Sequence, residues 1–352
     1  MTNDVLLTHF VQQEQRTQVA IGSGVLKKLE QFLPPNTSKV FVIGDSIVMS
    51  LYGDEIKSHL SIETSLLSFA PGESSKVLDT WFELNQQLEQ GAVDRRAVVI
   101  GLGGGVSTDL AGFIAATSLR GLDGIFVPTS LLGMVDAAIG GKVGLNSGFG
   151  KNRIGCMWWP KAVVVDPDVL LTLPDLETSQ GLAEVIKIAC VDDPPLLDLL
   201  LAQPSFRPST EVIIRAIKAK LAIVERDPFE KGERAVLNFG HTVGHAIEAC
   251  SNWSIPHGDA VALGMEIEAS ILERISGIKW RDKDKFVRVR EKAELTRMLE
   301  HQPVTAWQDL LNYMASDKKS TGSEIRFSLP SCFGGGPGNW TVAVDLEVLE
   351  TL

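Results

Sequence analysis

Ala97-Val98-Val99-Ile100-Gly101 runs straight into Leu102-Gly103-Gly104-Gly105-Val106-Ser107-Thr108-Asp109, and a helical pattern follows from about Ser107 to Leu119. A short apolar run bounded by glycine reads as a strand buried on both faces of a parallel sheet. Strand, glycine loop and helix in direct succession restrict the fold more than any other stretch of this chain. They form the opening of a βαβ unit, and they bring backbone N–H groups and a helix N-terminus to one point, where a pyrophosphate can sit. Without Cβ atoms in the way, a phosphate can approach the backbone closely. The loop reads G-x-G-G-G rather than G-x-G-x-x-G, so a tight turn with close helix–strand packing competes with a dinucleotide cradle.

The pattern recurs on both sides. Val40-Phe41-Val42-Ile43-Gly44-Asp45-Ser46 is a second buried strand, whose Asp45 suits either a ribose hydroxyl or the N-cap of a following helix. Pro71 to Lys76 reads as a turn, Val77 to Gln90 as a helix, and Gly124 to Pro128 as a strand with Thr129 and Ser130 at its end. Pro160 to Asp166 reads as the last strand of this half, and residues 1–30 as strands ending in a helical turn. Alternating strands and helices predict an open parallel sheet wound on both faces. From Ser179 the pattern is helical, with no convincing strand until near Glu324. At 352 residues the chain is expected to form two domains, 1–174 and 175–352, divided at Leu173-Pro174. The run Phe333 to Gly338 reads as a flexible surface loop.

Three groups of polar residues point to chemistry. Asp136, Gly140-Gly141-Lys142, Asn146 and Gly150-Lys151-Asn152-Arg153 interleave cations with glycines, which suits a phosphate or carboxylate better than an exposed helix face would. Glu184 lies in an otherwise apolar helix with Lys187 at i, i+3, so it is either half of an ion pair or a metal ligand. Three of the six histidines, His241, His245 and His257, fall within seventeen positions. His241 and His245 share a helix face, while His257 is expected in a loop before a helix over Ala260 to Ile275. Two imidazoles and a carboxylate make an ordinary nitrogen and oxygen set for a divalent metal, against the alternative of histidines hydrogen-bonded in a core. The net charge of −11 argues against nucleic acid or an anionic membrane surface as partner, so any anionic substrate must meet a local cluster of cations. There is no apolar run of membrane-span length and no signal-peptide pattern, and the four dispersed cysteines read as reduced thiols, so a cytoplasmic protein is expected.

Taken together, Gly103-Gly104-Gly105-Val106 with Asp109-Leu110-Ala111-Gly112-Phe113, Val127-Pro128-Thr129, Gly140-Gly141-Lys142, Gly150-Lys151-Asn152, Gly181 to Lys187, Asn238-Phe239-Gly240-His241-Thr242, Gly244 to Glu248, His257-Gly258 and Asp317-Lys318-Lys319 resemble the 3-dehydroquinate synthase family of sugar phosphate cyclases, in family order over most of the chain. The resemblance implies an α/β, Rossmann-like N-terminal domain that binds NAD and a mostly α-helical C-terminal domain that binds a divalent metal, zinc or cobalt. It also implies that 3-deoxy-D-arabino-heptulosonate 7-phosphate becomes 3-dehydroquinate and phosphate, within the shikimate route. The steps implied are transient oxidation, phosphate elimination, re-reduction and intramolecular aldol closure. By motif, Glu184, His241 and His257 would hold the metal, and His245 would face the substrate. Asp45, Glu73, Lys76, Gly104, Gly105, Val106, Asp109, Thr129, Ser130, Lys142 and Lys151 would form the cofactor site. Arg120, Asp136, Lys142, Asn152, Lys187, Lys220, Arg234, Asn238, His245 and Lys319 would surround the substrate. A homodimer is also implied.

Ser107-Thr108 stands where the family shows Ile-Gly, Ser130 where a second Thr is usual, and Trp158-Trp159 adds bulk before the last strand. None of these removes a ligand or a cation. The rival readings are a paralogous cyclase giving an inosose or a valiolone, a metal-dependent polyol dehydrogenase on the same fold, and a non-catalytic NAD-binding module. Retention of Lys142 and Lys187 favours a substrate with a carboxylate.

Overall fold

The computed structural model describes residues 16–295, 306–316 and 324–351. Its first half is an open parallel sheet of β1 (Gln18–Ile21), β2 (Val40–Asp45), β3 (Thr64–Phe69), β4 (Val98–Gly103), β5 (Asp123–Pro128) and β8 (Ala162–Val165). Their spatial order is β1-β8-β5-β4-β2-β3, and every pairing is parallel. The chain leaves β2 for its neighbour β3 and returns to pair β4 on the opposite side of β2. That reversal opens a crevice at the carboxyl ends of β2 and β4, the place where open α/β sheets bind ligands. Helices α1 (Leu78–Gln90) and α2 (Gly105–Thr117) cross between strands. The apolar runs seen in the sequence are the strands buried on both faces: Val40 to Ile43, Val98 to Ile100 and Ala162 to Val165 are all buried.

Between β5 and β8 lies an antiparallel hairpin, β6 (Lys142–Ser147) and β7 (Gly150–Met157), which the sequence pattern did not suggest. Its glycines and cations mask the alternation of a strand. The hairpin rests on α2, where Val143 lies so close to Gly112 that a Cβ there would meet its Cγ1 at 2.4 Å. Trp158 also finds its place here, tilted on Phe126 at 5.9 Å, while Trp159 lies edge-on to Phe229 at 5.5 Å.

The second half is helical. It comprises α3 (Asp175–Val191), α4 (Pro195–Ala202), α5 (Thr210–Arg226), α6 (His241–Cys250), α7 (His257–Ser276), α8 (Lys283–Lys292) and α9 (Trp307–Ser316), with the antiparallel pair β9 (Glu324–Ser328) and β10 (Thr341–Asp345). Every residue of α3 from Thr178 to Val191 is buried, so this helix is the axis of the half. The largest apolar core is continuous from Val98 and Val163 of the sheet to Val185, Ile213 and Val261 of the helices.

Two local expectations are corrected. His257 is not in a loop: it is the first residue of α7, because Pro256 in extended conformation precedes the helix rather than breaking it. The run after Phe333 is not simply a surface loop. Phe333 is buried against Phe239 and Trp280, which anchors the turn. No disulfide joins the four cysteines, and among the described residues no helix is long and apolar enough to cross a membrane.

Candidate active site

Three helices deliver one donor set. Glu184 comes from the middle of α3, and His241 and His257 are the first residues of α6 and α7. Glu184 Oε1 lies 3.1 Å from His257 Nε2 and 3.5 Å from His241 Nε2. Two ligands on one tetrahedral zinc, each about 2.0–2.1 Å from it, would stand roughly 3.3 Å apart, so this spacing fits a shared ion. Burial and the nearby Lys187 ammonium push the His241 pKa down, leaving the neutral ring a metal requires. Burial works to raise the Glu184 carboxyl, but Lys187 and His241 outweigh it and keep it ionised. Glu184 Oε2 is buried with no hydrogen bond, its one partner being the ammonium of Lys187 in an ion pair. Burial also opposes charge on His257, yet hydrogen bonds to Glu184 and Glu248 lift it to about 9. A cation at Nε2 would replace that proton.

The positions of α6 and α7 follow from their contact. Glu268 of α7 is fully buried and accepts the N–H groups of Gly240 (2.8 Å) and Val243 (3.0 Å) at the start of α6. A carboxylate there satisfies orphan donors and complements the helix dipole. Gly264, one turn earlier on α7, lies against the Gly240 carbonyl.

A buried charge network adjoins the donor set. Lys187 pairs with Glu184 and lies 3.9 Å from Asp136. Asp136 also pairs with Lys220 of α5, whose Nζ donates to the Asp136 carbonyl at 2.6 Å. Burial alone would raise Asp136, but the two lysines hold it at about 2. Burial depresses Lys220 to about 8 despite Asp136. Arg234 is buried, donating to the carbonyls of Pro228 (2.6 Å) and Gly140 (2.9 Å). Asn238 donates to Glu230 at 2.6 Å, and Glu230 also pairs with Lys142.

The third cluster sits at the glycine loop. Gly103 has φ +143°, and a Cβ there would meet Ser107 Oγ at 2.3 Å and Asp45 Oδ2 at 3.6 Å, so glycine is required. Ser107 Oγ at the start of α2 is buried with no hydrogen-bond partner, an open donor where a phosphate oxygen would lie. Thr129 N–H donates to the Gly103 carbonyl, and Ser130 Oγ accepts from Gly133 N–H at 3.1 Å beside Gly104. Asp109, one turn along α2, pairs with buried Lys76, which also donates to Asn152 Oδ1 at 2.5 Å. Glu73 accepts from Asn146 at 2.7 Å. Asp45 takes its N-cap role, accepting from the N–H groups of Ile47 and Val48. Gly105 and Val106 begin α2.

One sequence-predicted residue falls elsewhere. Arg120 is exposed past the C-terminal end of α2, so roughly 20 Å of helix separates it from the glycine loop. Lys319 lies outside the described residues. Two acids that sequence reading gave no role belong to the site. Glu230 bridges Lys142 and Asn238. Glu248 bonds His257 Nδ1 at 3.3 Å and Lys151 at 2.8 Å. Glu248 could have been found, since it lies two turns after His241 on the same helix; Glu230 sits in a turn that reads as solvated.

A parallel sheet with a glycine-loop cradle, joined to a helical half with a Glu-His-His donor set, defines the architecture of the sugar phosphate cyclases. A 2-epi-5-epi-valiolone synthase from Streptomyces hygroscopicus subsp. jinggangensis, solved with NAD+ and Zn2+ bound, superposes with a TM-score of 0.84 at 27% identity over 98% of both chains. The family model described as 3-dehydroquinate synthase N-terminal matches residues 66–180, and the C-terminal one matches 181–320. A 3-dehydroquinate synthase from Arthrobacter is 40% identical, covering 88% of this chain and 86% of the relative. Another from Sulfolobus acidocaldarius is 43% identical over 75% of each. The chain belongs to the 3-dehydroquinate synthase family.

Proposed function

We propose that this chain converts 3-deoxy-D-arabino-heptulosonate 7-phosphate into 3-dehydroquinate and phosphate, using NAD and a divalent metal, zinc or cobalt. The carrying observation is the buried Lys187, which touches Glu184 of the donor set and approaches Asp136 of the cation network. Through it the metal ligands and the anion-binding lysines form one continuous site. The division into residues 1–174 and 175–352 is part of this reading, as are a homodimeric assembly, a cytoplasmic location and the absence of a nucleic-acid partner.

Glu184, His241 and His257 would hold the metal, and the glycine loop with Lys76, Asp109 and Thr129 would hold NAD. When bound, the metal supplies polarisation of a substrate hydroxyl and NAD supplies a reversible hydride acceptor. The chain's own residues do the rest. Asp136 remains ionised at neutral pH and holds Lys187 and Lys220 as cations in one buried network. Those lysines, with Lys142 and Arg234, supply the charge that a carboxylate and a phosphate need, and they orient the substrate for elimination. Asn238 and Asn152 contribute fixed amide groups. His245, one turn after His241, has its ring 5.3 Å from that of His241 and is placed to move a proton at the substrate.

A paralogous cyclase is the second reading. Identity decides against it: 40% to the 3-dehydroquinate synthase from Arthrobacter against 27% to the valiolone synthase. The test is phosphate release from the heptulosonate with catalytic NAD and zinc, following product and NADH together. Phosphate and dehydroquinate without net NADH are expected. Steady NADH accumulation would make the chain a dehydrogenase, and no turnover by metal-loaded enzyme would end the proposal.

A further inference from the structure

Lys151 and Asn152 are consecutive residues of β7, and they reach two different centres. Asn152 Oδ1 accepts from Lys76, which pairs with Asp109 at the glycine-loop cluster. Lys151 Nζ donates to Glu248 at 2.8 Å, and the other oxygen of Glu248 lies 3.3 Å from Nδ1 of His257. His257 Nε2 in turn meets Glu184. The path from Asp109 to Glu184 is therefore unbroken, and it passes through one peptide unit of the hairpin.

Several features stiffen that unit. Asn152 is held in the left-handed region at φ 56°, with its N–H donating to Asn146 Oδ1 at 2.9 Å. The Asn146 N–H donates to the Lys76 carbonyl at 2.7 Å, so Lys76 is gripped by the hairpin twice. Lys151 has a second partner, the ring of Trp253, 4.2 Å from its ammonium. Trp253 and the preceding Asn252 both have positive φ, at 62° and 52°. Two successive non-glycine residues in that region cost free energy, and such strain persists only where surrounding contacts over-determine it. Glu248 is almost fully buried, so it cannot exchange its partners for water.

From this geometry we propose that the β6–β7 hairpin couples the metal site to the dinucleotide site through Glu248, Lys151, Asn152 and Lys76. This rests on the functional reading above. A ligand histidine bound through Nε2 donates Nδ1–H to an orienting carboxylate, so a metal would fix Glu248 and with it Lys151. A dinucleotide at the glycine loop would fix Lys76 and Asn152. Each ligand then orders the same two-residue unit, and whichever binds second finds it already in place. Linkage requires the effect to be reciprocal. Glu248 and Lys151 act in this as positioning residues.

The test is NAD+ affinity by calorimetric titration of chelator-treated protein, with and without saturating Zn2+, and Zn2+ affinity with and without NAD+. In the unaltered protein each ligand should tighten the other by about fivefold or more, and by the same factor. Glu248→Gln keeps shape and removes charge; in it the coupling factor should fall to within about twofold of one. Lys151→Met should do the same, and the double variant should lose nothing further. A purely architectural role would weaken both affinities and leave their ratio intact. Lys151 is partly exposed, so Lys151→Met carries the test if Glu248→Gln does not fold. A coupling factor of one in the unaltered protein, or an unchanged factor in the variants, would overturn the proposal while leaving the functional reading standing. Failure of the unaltered protein to bind either ligand would overturn both.

Discussion

Replacing Gly264 by alanine should dismantle the metal site without touching a ligand. His241 and His257 head two helices whose separation is set where Gly264 of α7 meets the start of α6. A Cβ at Gly264 would stand 2.0 Å from the Gly240 carbonyl oxygen and 2.8 Å from the Gly244 nitrogen. Backbone is on the far side, so no side chain can swing away. To bring the closer contact out to 3.0 Å the helices must part by about 1 Å, and overpacking of this kind costs roughly 1–3 kcal/mol. Alanine returns part of that, about 1 kcal/mol, by its better helix propensity. The ligand geometry has no such offset. Metal–ligand distances tolerate about 0.2 Å, so a 1 Å displacement of His241 relative to His257 exceeds the tolerance several-fold.

The expected result is a Zn2+ affinity lowered by at least about a hundredfold, the upper range seen when supports of a metal ligand are lost. It should come with a modest fall in melting temperature of the metal-free protein. The assay is competition titration of Zn2+ against a chromogenic chelator, beside a thermal melt in chelator. Ser270→Ala on the exposed face of the same helix is the control, and should leave both measurements unchanged. Were Gly264→Ala to lose stability yet bind Zn2+ normally, helix spacing would not be what sets the ligand geometry. A variant normal in both respects would show that the close contact yields cheaply.

Three further outcomes follow from the charge network. Lys187→Met leaves the fully buried Glu184 without its cation, while Asp136 keeps Lys220; breaking a buried pair costs about 3–5 kcal/mol, read as a lowered denaturation midpoint, with phosphate release abolished. Lys76→Met strands Asp109 in the same way and should weaken NAD+ binding while Zn2+ binding by the ligands themselves persists, which separate titrations would resolve. Lys220 has its pKa lowered from 10.5 to about 8 by burial, against the pull of Asp136, so its charge is lost as pH rises through 8. KM for the anionic substrate should therefore climb above pH 8, and Lys220→Arg should flatten that rise if it retains activity. The sign for stability is opposite: the folded protein resists protonation of this lysine, so its contribution destabilises below pH 8 and fades as pH rises toward 10.5.

What could be read from the chain and what could not divide along a physical line. β2, β4 and β8 are legible because both faces are buried, which leaves an unbroken apolar run. The β6–β7 hairpin is not: only Val143 and Leu145 enter the apolar core, and the glycines and cations around them hide that alternation. Glu184 and Lys187 are legible as a pair because helical spacing fixes i, i+3 neighbours whatever surrounds them. Spacing also made His245 a candidate ligand beside His241, and spacing alone could not remove it. Glu184 comes from a third helix and meets the rings of His241 and His257, while the ligand atoms of His245 group instead with Glu248 and His257. The contact on which the proposed coupling turns, Glu248 with Lys151, joins residues 97 apart. No local pattern reports such a pair, because each partner obeys only its own element's rules: Glu248 reads as an ordinary helical acid and Lys151 as a loop cation. Their meeting depends on α7 placing His257 beside α6, which depends in turn on Gly264 and Glu268. The same close packing that hides the metal centre from sequence reading is what the Gly264 substitution disturbs.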